Sequence, residues 1–181
     1  MLRNKTGSIS YKGIEIGNLP AHEIVKRGIA LVPEGRRLFP SLSVEENLML
    51  GSEVGRAGTW DITKLFSLFP ILKEKRNQPA TSLSGGQQQM VAIGRALASN
   101  PDLILLDELS LGLAPIVIKD IYDRMPDIAA GGMTVILVEQ DVTRALAAAS
   151  RFICLQEGRV SLAGTPREHT REAITTAYFG T

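Results

Sequence analysis

Cysteine is nearly absent: Cys154 stands alone among 181 residues. One thiol excludes an internal disulfide framework and suits a reducing compartment. Its neighbours Phe152, Ile153 and Leu155 make it a buried, inert thiol rather than a nucleophile. Long apolar runs are missing as well; none approaches the roughly 20 residues that a membrane-spanning helix needs. The basic start Met1-Leu2-Arg3-Asn4-Lys5 runs directly into polar Thr6-Gly7-Ser8, unlike a secretory signal peptide. No block of single-sign charge occurs, and 20 basic against 19 acidic residues leave a formal net charge of +1. That removes the electrostatic case for nucleic acid as a partner and points to partners met by shape and apolar contact. Internal repeats and low-complexity segments are also absent. So is any stretch of the form G-x-x-x-x-G-K-S/T, the loop whose backbone N–H groups cradle phosphates. Lys12-Gly13 has the wrong order, and Gly51-x-x-x-Gly55-Arg56 has the wrong spacing and no lysine.

What remains is the pattern of a globular domain. A hydrophobic content of 44% over this length supports one domain with a real core. Ile9, Tyr11, Ile14 and Ile16 around Lys12-Gly13 predict a small hairpin, followed by a helix near Ala21 to Lys26. Gly28 to Pro33 is a short apolar strand stopped by proline. Ser43-x-x-Glu46 is a capping box that opens a helix, and Gly51 to Gly58 reads as a glycine-rich loop. A helix from about Asp61 carries Leu65, Phe66 and Phe69 and breaks at Pro70. Leu83 to Ser99 is a turn plus helix ended by Asn100-Pro101.

From Leu103 the rhythm becomes strand, helix, strand. Leu103 to Leu106 and Thr134 to Val138 are apolar strands without alternation, separated by a helix over Ile116 to Met125. Such strands imply a parallel sheet covered on both faces. Phe152 to Leu155 and Arg159 to Leu162 flank Glu157-Gly158 as a closing hairpin, and Pro166 to Ala177 reads as a surface helix. The expected organisation is an incomplete α/β core over residues 1–42 and 100–181, with a helical subdomain inserted over 43–99.

Two motifs carry chemistry. Asp107-Glu108 ends a buried strand, where open parallel sheets place their ligand crevice. One carboxylate there can hold a magnesium-bound water, and the second can orient or deprotonate a nucleophilic water. The bland alternative is an aspartate capping the next helix. Upstream, Ser84-Gly85-Gly86-Gln87 opens a helix. A capping box accounts for Ser84 and Gln87, but not for two glycines in a first helical turn, each costing about 1 kcal/mol against alanine. Bare backbone at the positive end of a helix lets a phosphate come close.

From about Gly7 to Gly180 the chain resembles the ATP-binding subunits of ABC importers, most closely the branched-chain amino acid type. The resemblance rests on ordered blocks: Val32-Pro33-Glu34-Gly35-Arg36-Arg37-Leu38-Phe39-Pro40, Ser43 to Leu48, Leu83 to Met90, Ala92 to Leu97, Ser110 to Pro115, and Val138-Glu139-Gln140. It implies a P-loop NTPase-like (RecA-like) parallel sheet with a helical insertion, binding ATP and Mg²⁺. Glu108 would be the catalytic base and Gln140 the switch residue, where most of the family carry His. Asp107 and Glu34 would stand on the magnesium side, Glu34 in the position usually held by Gln. Ser84, Gly85, Gly86 and Gln87 would act in trans, on nucleotide held by a second, head-to-tail ATP-binding subunit. Ser110 to Pro115 would be the D-loop facing that subunit, and Leu109 replaces the usual proline. The helical insertion, with an exposed set near Trp60, Phe66 and Phe69, would dock transmembrane permease subunits, unless those aromatics form a small local core. The protein would then sit peripherally on the cytoplasmic face of the cell membrane.

In the family a strand, an adenine-stacking aromatic, the phosphate loop and a helix come first. The resemblance begins beyond them, so the sequence is expected to be N-terminally truncated, to expose apolar sheet surface and to hold ATP poorly in its own half-site. A mis-assigned start, a non-hydrolysing remnant, and a chain that lends its signature motif to an intact partner are the three readings. A urea or amide importer ATPase is the neighbouring alternative for the transported solute.

Overall fold

The computed structural model describes residues 6–180. Strands β1 (Ser10–Tyr11) and β2 (Ile14–Glu15) form the expected hairpin, with Ser10 opposite Glu15. Its two turn residues, Lys12 and Gly13, both take positive φ, which matches the strands' right-handed twist. Helix α1 (Ala21–Lys26) leads to strand β3 (Ile29–Val32). Helix α2 (Val44–Ser52) starts at a complete capping box. The Ser43 hydroxyl accepts from the Glu46 backbone N–H, while the Glu46 carboxylate accepts from Ser43 N. Fully buried Asn47, one turn in, accepts from Phe39 N and donates to the carbonyls of Phe39, Leu42 and Ser43. That satisfies the buried amide and fixes the loop between β3 and α2.

Helix α3 (Ile62–Leu68) is capped by Asp61, and α4 (Pro70–Glu74) begins on Pro70, whose missing N–H costs nothing at a first helical position. Helix α5 (Gly85–Ala98) precedes strand β4 (Leu103–Asp107). Helices α6 (Pro115–Asp123) and α7 (Met125–Ala129) lead to strand β5 (Thr134–Val138), and α8 (Val142–Ala148) follows. Strands β6 (Phe152–Gln156) and β7 (Arg159–Gly164) form the closing hairpin, and α9 (Arg171–Phe179) packs against it. The sheet order is β3-β4-β5, all parallel, with β6-β7 as a separate antiparallel pair.

One apolar cluster joins the sheet to the helices. Val32, Ile104 and Leu106 meet Leu48, Leu65, Phe69, Leu72, Ile93 and Leu97. Strand residues two apart share a face. Ala30, Ile104 and Val135 lie on the covered side, as do Val32, Leu106 and Leu137.

Four expectations need correction. The sheet is covered on one face: the row Leu31-Leu105-Ile136 points away from the core, with Leu31 53% and Ile136 46% exposed. Trp60, Phe66 and Phe69 are buried in the main cluster, so they are core rather than an exposed docking set. Gly51 belongs to α2, not to a loop. It lies against α5, where an added Cβ would stand 2.0 Å from the Arg95 carbonyl oxygen. The final helix starts at Arg171 instead of Pro166, and it buries Ile174.

Candidate active site

Strands β3, β4 and β5 all end at the same edge. Val32 pairs with Leu106, so Glu34 and Asp107 leave adjacent strands there. Asp107 pairs with Val138, which brings Glu108 beside Glu139 and Gln140. The ladder continues one step beyond the strands, since Glu108 N donates to the Val138 carbonyl at 3.0 Å. Gln140 Nε2 then donates to Glu108 Oε1 at 2.8 Å. Glu108 takes a left-handed φ of 48°, an uncommon and costly conformation for a residue with a side chain. Those two bonds hold it there.

Asp107 does not cap a helix. The next helix, α6, begins eight residues later, at Pro115, with Ala114 at its cap position and no side-chain cap. Leu109 is buried in the main cluster, so it anchors the turn after Glu108. Neither Asp107 nor Glu34 spends a carboxylate oxygen on a hydrogen bond or ion pair among the described residues. Half-buried Asp107 therefore suits a hard cation that keeps most of its waters. Among the described residues no group of three or more His, Cys, Asp or Glu gathers to cage a metal. These residues suit a hard divalent cation that takes only one or two protein carboxylates.

The Ser84 turn is built by both capping-box bonds: Gln87 N donates to Ser84 Oγ at 3.3 Å, and Ser84 N donates to Gln87 Oε1 at 3.1 Å. Its two glycines have different reasons. Gly86 is buried against α6, where an added Cβ would fall 2.1 Å from Val117 Cγ1. Packing therefore accounts for Gly86 without a ligand. Gly85 faces the Arg36 guanidinium, whose Nη2 lies 3.1 Å from the position of a Cβ. Arg36 Nη1 also donates to Gln88 Oε1 at 3.4 Å, so a cation lies beside the open N-terminus of α5. Gly35, Arg36 and Arg37 all have positive φ; this turn folds the arginine back over the helix start. Among the described residues no hydrogen bond joins the Ser84 turn to Asp107, Glu108 or Gln140.

Sequence reasoning gave no role to Glu139 or Tyr122, and placed Ser110 only in the loop expected to face a second subunit. Glu139 Oε1 accepts from Tyr122 OH at 2.7 Å and from Ser110 N at 3.3 Å, and its Oε2 accepts from Ser110 Oγ at 2.8 Å. Burial, aided by the bond to Glu139, pushes the Tyr122 phenol far above its ordinary range, so it remains a donor at any working pH. The triplet Val138-Glu139-Gln140 was the available signal.

Residues 1–110 match the ABC transporter family. The chain is 46% identical over 178 residues to the high-affinity branched-chain amino acid transport ATP-binding protein BraG of Pseudomonas aeruginosa, covering 97% of this chain and 76% of that protein. It is 36% identical over 166 residues to the probable branched-chain amino acid transport ATP-binding protein LivF of Archaeoglobus fulgidus, covering 90% and 70%. The fold superposes on the dimeric post-hydrolysis state of the ATP-binding cassette MJ0796, bound to ADP and Pi. The TM-score is 0.77 and the identity 28%, over 90% of this chain and 75% of that one. The strand-end carboxylates, the capped Ser-Gly-Gly turn and these likenesses lead to one conclusion: the chain belongs to the ABC transporter family, as a transporter ATP-binding cassette with a P-loop NTPase fold.

Proposed function

We propose that this protein is an ATP-hydrolysing subunit that energises uptake of branched-chain amino acids through a membrane permease. The observation that carries the hydrolytic part is the 2.8 Å bond from Gln140 to Glu108 at the carboxyl edge of the sheet. It leaves Glu108 Oε2 free to accept a proton from water. That water attacks the terminal phosphorus of ATP, the bond to the bridging oxygen breaks, and ADP leaves with inorganic phosphate. Gln140 fixes the carboxylate's orientation without adding charge. Asp107, with Glu34 beside it, would hold magnesium, which when bound neutralises phosphate charge. The solute assignment is supported by the names of BraG and LivF.

The Ser84 turn has no bond to its own Glu108, and this supports its use on nucleotide held by a second ATP-binding subunit. Residues 43–99 form the helical subdomain in this reading; its half-exposed Met49 and Leu50, with Phe39 from the preceding loop, are the apolar contacts to the permease. The complex would work from the cytoplasmic face. Mixing the chain with an intact ATP-binding subunit of the branched-chain type tests the reading. ATP hydrolysis should appear, and Ser84→Arg should lower it by about 100-fold through charge and bulk at the phosphate approach. A rate indifferent to that substitution would sink the proposal.

A further inference from the structure

The segment from Glu108 to Ala114 is irregular and crosses two left-handed positions, Glu108 at φ 48° and Gly112 at φ 70°. Its internal bonds are local: Leu111 N to the Glu108 carbonyl and Leu113 N to the Ser110 carbonyl. Besides buried Leu109, what ties it to the rest of the molecule by hydrogen bonds is the tripeptide Val138-Glu139-Gln140 at the end of β5. Glu108 N donates to the Val138 carbonyl, Gln140 donates to Glu108, and Ser110 donates from both N and Oγ to Glu139. Glu139 is the joint of this set, because Tyr122 OH ties it to α6 as well.

Glu139 faces three neutral donors, and among the described residues no lysine or arginine pairs with it. The nearby charges are otherwise engaged. Arg144 pairs with Asp141 at 3.2 Å, and its guanidinium lies 5.9 Å from the Tyr122 ring centre. A carboxylate solvated by neutral donors acts through geometry rather than through ion pairing. The same helix that donates Tyr122 presents Val117 to Gly86, so α6 touches both Glu139 and the Ser84 turn.

We infer that Glu139 is a positioning residue, which clamps Ser110 and Tyr122 so that the 108–114 loop stays in register with Gln140 and Glu108. The inference rests on the ATPase reading for its catalytic consequence, but not for its structural one. A glutamine at 139 preserves the clamp, since its oxygen can serve Ser110 N and Tyr122 OH and its amide can donate to Ser110 Oγ. An alanine cannot.

Two measurements test it. Amide exchange at Ser110, read by NMR on the 181-residue chain, should quicken about tenfold in Glu139→Ala and stay within about threefold in Glu139→Gln. In the chain assembled with an intact ATP-binding subunit, Glu139→Ala should lower kcat about tenfold, leave KM for MgATP within about twofold, and be rescued by Glu139→Gln. Unchanged Ser110 protection, unchanged kcat, or a glutamine variant as impaired as the alanine one overturns the inference. If the unsubstituted assembly hydrolyses no ATP, the functional reading fails, and Ser110 exchange alone decides this one. Tyr122→Phe removes one hydroxyl and keeps the ring, so it serves where Glu139→Ala does not fold. About threefold losses of protection and kcat are expected, and no change counts against the clamp.

Discussion

Gln140 reaches across from the end of β5 and donates to Glu108 at 2.8 Å, just past the last paired residues of β4 and β5. Because Glu108 sits at positive φ, its carboxylate direction depends on this bond and on the backbone bond to Val138. The two side chains therefore act as a unit.

On the proposed ATPase reading, Glu108→Gln in the mixed assembly keeps an oxygen for Gln140 to donate to and removes the proposed base. We expect kcat to fall by at least about 100-fold while ATP is still bound. Gln140→Leu leaves the base but frees its orientation, for a loss of about tenfold. Residues that act together are not additive, so the double variant should be no slower than Glu108→Gln. Steady-state hydrolysis of the three variants checks this; a multiplicative loss would mean the two act separately.

The two glycines at the start of α5 separate stability from function. Gly86→Ala drives a methyl into Val117, and overpacking of this kind costs about 1–3 kcal/mol. Shortening the neighbour should relieve it, so Gly86→Ala with Val117→Ala should recover most of that loss in denaturant unfolding. Gly85→Ala meets only the mobile tip of Arg36 and gains helix propensity, so stability should hold or rise by up to about 1 kcal/mol. If the turn receives a phosphate, Gly85→Ala should still depress hydrolysis in the mixed assembly.

Local signals made much of this fold legible. The boxes Ser43–Glu46 and Ser84–Gln87 form as read, because a cap needs only residues within one turn. Lys12-Gly13 and Glu157-Gly158 mark their hairpins for the same reason. Long-range facts were not legible. An apolar β5 looks the same whether one face or both are covered, and Ile136 is exposed only because no described element lies over it. The Gly86–Val117 contact joins residues 31 apart, so a glycine required by packing resembled one required by a ligand. The Val138-Glu139-Gln140 block marks the place of Glu139 but not its partners; its role depends on Ser110 and Tyr122, which only the fold brings to it.

The uncovered row Leu31-Leu105-Ile136 should make this 181-residue chain self-associate when it is alone in solution. Sedimentation should show concentration-dependent association. Leu31→Thr with Ile136→Thr places β-branched strand formers at both positions and removes apolar surface, so association should drop. Exposed sites of this kind change stability by about 0.5 kcal/mol or less, and the melting temperature should hold. Unaltered association would place the sticky surface elsewhere, with exposed Ile153, Leu155 and Val160 of the β6-β7 hairpin next to be substituted.

A pH-dependent link ties the first hairpin to the sheet. Asp102 accepts from Lys12 Nζ at 2.7 Å and from Arg56 Nη2 at 3.0 Å, and Arg56 also donates to the carbonyls of Lys26 and Asn100. The Lys12 bond, with the Arg56 charge, holds the Asp102 carboxyl below its ordinary range, and Asp102 in turn raises Lys12. A depressed carboxyl contributes stability above its unfolded pKa of about 3.9 and loses it as pH falls through the folded value. A raised lysine contributes below its unfolded pKa of about 10.4 and loses that as pH rises through the folded value. The link is therefore complete between about pH 4 and pH 10. Asp102→Asn should lower the melting temperature throughout that window, and the two proteins should converge as pH falls through the depressed folded value of Asp102 and the carboxyl takes up its proton. A difference between the curves that does not change with acid would assign the loss to the cluster's packing rather than to its charge.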